Sequence, residues 1–173
     1  MNDLIPLYRD MAAGGAQFLG LSVLQHKEQI GKLFKRHDVH TLLDFGCGAG
    51  NAYKTANKVH HEWRLRRIDV TLYDPAFPQH DKLPTPGRKF DAVICSDVLE
   101  HVPEEETLAF IEGLFSRAKR LVWASVCCRP ARKSFPDGRN LHVTIRPWQW
   151  WDDTFNEVAR RHPDVTYALV ETP

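Results

Sequence analysis

Three short segments of this chain gather residue types that can do chemistry. The first, Asp44-Phe45-Gly46-Cys47-Gly48-Ala49-Gly50, sets glycines at alternate positions behind an acid. Glycines so spaced let a backbone turn sharply and approach a ligand without Cβ clashes, and a helix following the loop would offer free N–H groups. A pyrophosphate cradle reads G-x-G-x-x-G, whereas this loop reads G-x-G-x-G, and the Lys-Ser/Thr of a phosphate-binding P-loop is absent. The leading Asp44 would repel phosphate and suits an ammonium group. The second segment ends a strand in Asp74-Pro75. An acid there can accept hydrogen bonds from both hydroxyls of a ribose, although Asp-Pro also commonly starts a turn. The third segment, Cys95 to Pro103, crowds a hydroxyl (Ser96), a carboxylate (Asp97) and an imidazole (His101) onto a strand tip. That crowding is costly unless the groups are hydrated or in use.

These segments need a scaffold, and the hydrophobic pattern supplies one. Short apolar runs at 41–45, 68–73, 90–95 and 121–127 read as strands, with a last one at 165–170. The run Leu121–Cys127 is the most apolar and so is expected at the centre of the sheet. Helices are expected from Ser22 (a capping box with Gln25) to His37, from Asn51 to His61, after Pro103 and from Trp148 to Arg161. Leu108, Ile111, Leu114, Phe115 and Ala118 make the core stripe of the third of these. A short extended piece spans Leu141–Ile145, and the glycine-bearing residues 1–20 read as a loose lead-in. Strands alternating with helices predict a parallel α/β sheet.

Composition narrows the class. The 173 residues fit a single domain, 1–173, with 43% hydrophobic and 26% charged residues and a net charge of +1. That balance does not demand a polyanionic partner. The basic clusters Arg64, Arg66, Arg67 and Arg129, Arg132, Lys133 read first as solvated surface. Cys47, Cys95, Cys127 and Cys128 show no metal-binding spacing, so no metal is expected, and reduced thiols are the default. No signal peptide is read at the N-terminus, and no run approaches the roughly 18 apolar residues of a membrane span. A soluble, cytoplasmic protein without membrane contact is expected.

The order and strand context of "LLDFGCGAG", "VTLYDPA" and "FDAVICSDVLEHVP" resemble the class I S-adenosylmethionine-dependent methyltransferases, over about residues 39 to 127. "EHVP" looks like the small-molecule, lipid or quinone branches, and "DGRNLHVTIRPWQWW" resembles small phage and bacterial methyltransferases. The resemblance implies a three-layer α/β/α Rossmann-like sheet, mostly parallel, with S-adenosyl-L-methionine as cofactor. It implies that Gly46 and Gly48 pack against the cofactor and that Asp44 lies near its amino-acid end. Asp74 would hold the ribose, and Ser96 and Asp97 would line the methyl-donor side. Cys47, Gly50 and Pro75 complete the implied cofactor shell. His101 would face the acceptor, and it and His142 are the candidate catalytic bases, since neutral imidazole is available near pH 7.

Two departures from the family follow. Residues 75–89 carry Pro75, Pro78, Pro84 and Pro86, so the family's next helix and third strand are expected to be missing or vestigial. The terminal β-hairpin is expected to be incomplete, which would leave an edge that a second copy of the chain could cover as a homodimer. Arg139 and Asn140 could recognise an anionic or sugar-like acceptor, and Trp148, Trp150 and Trp151 could wall its pocket or pack in the core. The expected acceptor is a small molecule, a saccharide or a modified nucleotide. Nucleic acid stays open, although the signatures of DNA amino- and cytosine-methylating enzymes are absent. Two other uses of the cofactor stay open at this stage: non-methyl chemistry, and binding without turnover.

Overall fold

The computed structural model describes residues 4–14, 18–54, 58–63 and 68–172; Gly15 and the Arg64, Arg66, Arg67 cluster lie outside them. Five strands, β1 (Thr41–Phe45), β2 (Asp69–Tyr73), β3 (Phe90–Ser96), β4 (Ala118–Cys127) and β5 (Thr166–Thr172), form one sheet in the order β2-β1-β3-β4-β5. Every neighbouring pair is parallel.

Strand alternation builds two cores. Leu42, Ala92, Ile94, Leu121 and Trp123 turn to one face, where Ile30 and Phe34 of α2 (Lys27–Arg36) cover them. Trp63, just after the short α3 (Val59–Glu62), packs there too. Leu43, Val93, Cys95, Val122 and Ala124 turn to the other face. Ile111, Leu114 and Phe115 of α4 (Glu104–Arg117) and Trp151, Phe155 and Val158 of α5 (Trp148–Ala159) cover that side. Each fully buried side chain of this kind contributes about 1.5–3 kcal/mol. The architecture is three-layered α/β/α, as expected, and the segment 75–89 holds only turns. Its prolines lack the N–H groups a helix or inner strand would use.

Several local expectations fail for identifiable reasons. The lead-in contains a helix, α1 (Ile5–Ala13), with a proline in its first turn. Leu4, Leu7, Tyr8 and Met11, at helical spacing, bury against Phe135 and Leu141 in a third, smaller cluster. Ser22 is no helix cap: its hydroxyl pairs with Ser96, and a 3-10 turn (Ser22–His26) precedes α2. The helix expected over 51–61 is broken into a 3-10 turn (Asn51–Tyr53) and α3, with Lys54 extended between them. The middle strand is β3, buried along its whole length, with β4 beside it. Residues 141–145 form no strand, and Leu108 is exposed.

At the amino end of the sheet, Asp91 fastens β3 to β1. Its Oδ2 accepts hydrogen bonds from the backbone N–H groups of His40 and Thr41 and from the Thr41 hydroxyl, at 2.9–3.1 Å. Asp91→Ala is expected to lower unfolding free energy by about 1.5–3 kcal/mol in urea titration. A loss too small to measure would show that the register is held elsewhere.

Candidate active site

Strand order reverses at β1, with β2 on one side and β3 on the other. Loops leaving neighbouring strands diverge at such a point and open a crevice beyond the carboxyl ends. The cleft there holds about 730 Å³, within the roughly 300–1,000 Å³ of small-molecule sites. Gly46 and Gly48 after β1, Asp74 and Pro75 after β2, and Ser96 and Asp97 after β3 all line it, as does His101. The sequence therefore named seven residues that the fold brings to one wall.

Three others lie behind that wall. Asp44 points to the α2 side of the sheet, is 4% exposed, and accepts a 2.8 Å hydrogen bond from the Tyr53 hydroxyl. Burial pushes its carboxyl up to about 7, against the Tyr53 bond and helped by the nearby Asp74. Cys47 is buried, and its thiol is turned to the carbonyl of Gly48. Gly50 has φ of 66°, and a Cβ on it would stand 2.9 Å from the Leu72 side chain and 3.0 Å from His80.

The glycines also meet a packing need inside the protein. Gly46 and Gly48 have φ of 90° and 56°, in the left-handed region. A Cβ on Gly46 would stand 2.4 Å from the Val98 side chain, and one on Gly48 would stand 2.5 Å from the carbonyl oxygen of Phe18. Their bare faces let protein pack against protein, and the turned backbone forms the cleft wall.

Asp74 fills the turn-starting role foreseen for it. Its Oδ1 accepts the Ala76 N–H at 2.9 Å as a turn brace, and its Oδ2 accepts the Gly48 N–H at 2.8 Å. Each carboxylate oxygen keeps a further acceptor position. Burial raises its pKa, with those two N–H groups opposing. Across the cleft, Asp97 has φ of 54°, a conformation Asp tolerates better than most residues. The Ser125 hydroxyl donates to Asp97 Oδ1 at 2.6 Å, and Ser96 sits between Ser22 and Ser125.

One end of the cleft is closed by a residue that sequence reasoning missed. Tyr8 of α1 donates to the carbonyl of Leu141 at 3.0 Å and lies 2.8 Å from His101 Nδ1. His101 Nδ1 is also 2.9 Å from the Leu141 carbonyl. That carbonyl can accept from both, so the consistent tautomer has the proton on Nδ1 and a lone pair on Nε2. Burial holds the His101 pKa down at about 4, with His142 adding to the effect. Phe18 and Ile5 share this end of the cleft. Their only sequence signal was the apolar spacing within the lead-in.

Behind His101 lies a second cavity of about 640 Å³, lined by His142, Cys127 and the 129–133 segment. His142 Nδ1 donates to the Arg129 carbonyl, which leaves Nε2 as acceptor, 4.0 Å from Glu100 Oε1. Glu100 is fully buried. Its Oε1 accepts the Cys127 N–H, and Oε2 has no partner among the described residues. Donor atoms of Glu100, Cys127 and His142 lie within 4.8 Å of one another, a grouping of metal-ligand types that no sequence spacing had announced. Arg139 is tied to Asp137, and Asn140 staples the loop through Ala131 and His142. Trp151 is core, with Trp148 and Trp150 packed beside it, and none of the three lines either cavity.

The buried acids set a pH dependence. Burial lifts Asp44 to about 7 and Glu100 to about 8, the latter helped by Asp97 and opposed by backbone N–H groups. Both therefore keep a proton in the fold that the unfolded chain releases above about pH 4–4.5. Their contribution to stability is full below that range and is lost as pH rises through about 7 and 8. The thermal midpoint is expected to fall between about pH 5 and pH 8, and Glu100→Gln is expected to flatten the upper part of that fall. An unchanged slope in the variant would remove Glu100 from the account.

Residues 22–165 match the family described as "Methyltransferase domain". A search of the curated proteins found no match to the chain. The matched span carries β1 to β4 with the cleft loops that follow them. With the all-parallel sheet and the cleft at its switch point, this makes the chain a member of the methyltransferase-domain family and an enzyme of the class I methyltransferase type.

Proposed function

We propose that this methyltransferase draws its methyl group from S-adenosylmethionine and delivers it to a small acceptor beside His101. One observation carries the reading: the Asp74 carboxylate stands on the cleft wall, braced by two N–H groups, with acceptor positions to spare for a pair of hydroxyls. The cleft residues fit such a cofactor. Gly46 and Gly48 offer backbone at close approach, Asp74 suits a ribose, and Ser96 and Asp97 supply polar contacts. Asp44 behind the loop is a buried acid whose ionisation a nearby ammonium would favour.

When bound, S-adenosylmethionine supplies an electrophilic methyl group on a sulfonium, which passes in line to the acceptor without a covalent enzyme intermediate. The chain's task is then to hold the partners in line, and alignment of this kind is worth about 7–11 kcal/mol. Phe18, Phe45, Val98 and Phe110 give the cleft apolar walls that exclude water. His101 is neutral at physiological pH because burial depresses its pKa. Its Nε2 lone pair takes the proton that an acceptor hydroxyl or amine gives up, and the Nδ1 bond holds the ring in place while it does so.

Asp74→Asn is expected to weaken cofactor binding by about 1–3 kcal/mol in calorimetry; unchanged affinity in a folded variant would end the ribose assignment. Purified enzyme given methyl-labelled cofactor and a cell extract is expected to label an acceptor. Release of methylthioadenosine without a labelled acceptor would point instead to other chemistry on the same cofactor. With a labelled acceptor in hand, His101→Gln should lower turnover about 100-fold while cofactor affinity holds. Full turnover would reduce His101 to a brace for Tyr8.

A further inference from the structure

The second cavity is built differently from the cleft. Arg129, Arg132 and Lys133 come from one loop and line a single space of about 640 Å³ together with His101 and His142. Other cations near this end of the sheet are spoken for: Arg139 pairs with Asp137 at 2.7 Å and Arg146 with Glu104 at 2.5 Å. Among the described residues, no acid forms an ion pair with Arg129, Arg132 or Lys133, and no carboxylate lines the cavity. In a chain whose net charge is +1, this is a local excess of positive charge.

The loop that carries these cations is fixed. The Asn140 side chain accepts from the N–H groups of Ala131 and His142 and donates to the Ala131 carbonyl, each at 2.9 Å. His142 holds the Arg129 carbonyl, and a bridge joins Ser134 to Asn140. Lys133 lies over the Phe18 ring, 5.9 Å from its centre, and it and His101 line both cavities. A molecule anchored among the three cations would therefore lie beside His101, which both cavities share.

Resting on the methyl-transfer reading of the cleft, we infer that the 129–133 cavity holds the acceptor by a phosphate group, so that the acceptor is a small phosphorylated molecule. A carboxylate brings two oxygens and one negative charge, whereas a phosphate dianion brings three oxygens and two charges, a better match for two arginines and a lysine. A nucleic-acid polymer is disfavoured, because successive phosphates call for cations strung along a surface, and here they converge on one cavity.

The test uses inorganic phosphate, glucose 6-phosphate against glucose, and a single-stranded RNA oligonucleotide. Binding is read by phosphorus NMR line broadening for the phosphates, by proton saturation transfer for the sugar pair and by anisotropy for the RNA. Wild-type protein is expected to bind both phosphates at millimolar concentrations and to ignore glucose. The double variant R129A/R132A is expected to weaken phosphate binding about tenfold or more, with an unchanged thermal midpoint and unchanged affinity for S-adenosylmethionine. Absence of phosphate binding to wild type, or equal binding by the double variant, would overturn the inference. So would tight RNA binding with a steep salt dependence and no competition by phosphate. Calorimetry with S-adenosylmethionine separates the two readings: loss of cofactor binding alone would count against the methyl-donor reading and leave the phosphate site standing.

Discussion

The site depends on how closely two stretches of backbone lie against each other. The segment Phe18–Gly20 runs beside the loop that leaves β1, so that Ala49 N–H donates to the Phe18 carbonyl at 2.9 Å and Asn51 N–H to that of Leu19 at 3.1 Å. A Cβ on Gly20 would stand 1.9 Å from the carbonyl oxygen of Cys47, a separation no side chain could relieve, because both atoms belong to the frame. The contact turns a flexible-looking glycine loop into a fixed wall. It also carries the chain on to Ser22, whose hydroxyl reaches Ser96 and so ties the loops after β1 and β3 together. Through Ser125 the same network holds Asp97 in its left-handed conformation.

Charge is sorted around that wall in a consistent way. Asp44 and Asp74 are both buried enough for their carboxyls to rise above the ordinary range, and Asp74 adds to the cost of ionising Asp44. A group of like charges kept in low dielectric is unfavourable by itself. A cationic ligand would lower that cost, and a sulfonium with an ammonium is such a ligand. On the far side of His101 the sign changes. There the cations form no ion pair among the described residues, while the buried acid beside His142, Glu100, holds its proton up to about pH 8. Acids behind the cleft and cations around the second cavity thus lie on either side of one imidazole.

The sequence made the cleft readable because its decisive residues sit at strand ends, where spacing and strand context coincide. Asp74, Ser96, Asp97 and His101 were found that way. What it hid depended on tertiary contact. The packing need for glycine at 46 and 48 came from Val98 and Phe18, neither of which is near them in sequence. The helix expected over 51–61 failed because Tyr53 is drawn back to Asp44 and the chain extends after it. Arg139, a candidate for acceptor binding, was two residues from an acid that claims it. Arg129, Arg132 and Lys133 read as solvated surface, since only the folded 129–142 loop shows that they share a cavity. Glu100 could be seen in the motif, but its orphaned oxygen could not.

Tyr8 shows how far the chemistry reaches from the motifs. It is 93 residues from His101 in sequence, yet it shares the Leu141 carbonyl with that histidine and stacks edge-on against it and against Phe18 and Phe135. Burial of the His101 ring is what keeps it neutral, and Tyr8 supplies part of that cover. With the Leu141 carbonyl, it also fixes which nitrogen keeps the proton, and hence which lone pair is free to act. The packing of α1 on the 131–143 loop, driven by Leu4, Leu7 and Met11, is therefore a condition for the geometry of His101. The segment least conspicuous in sequence becomes the part that sets the imidazole shared by the two cavities.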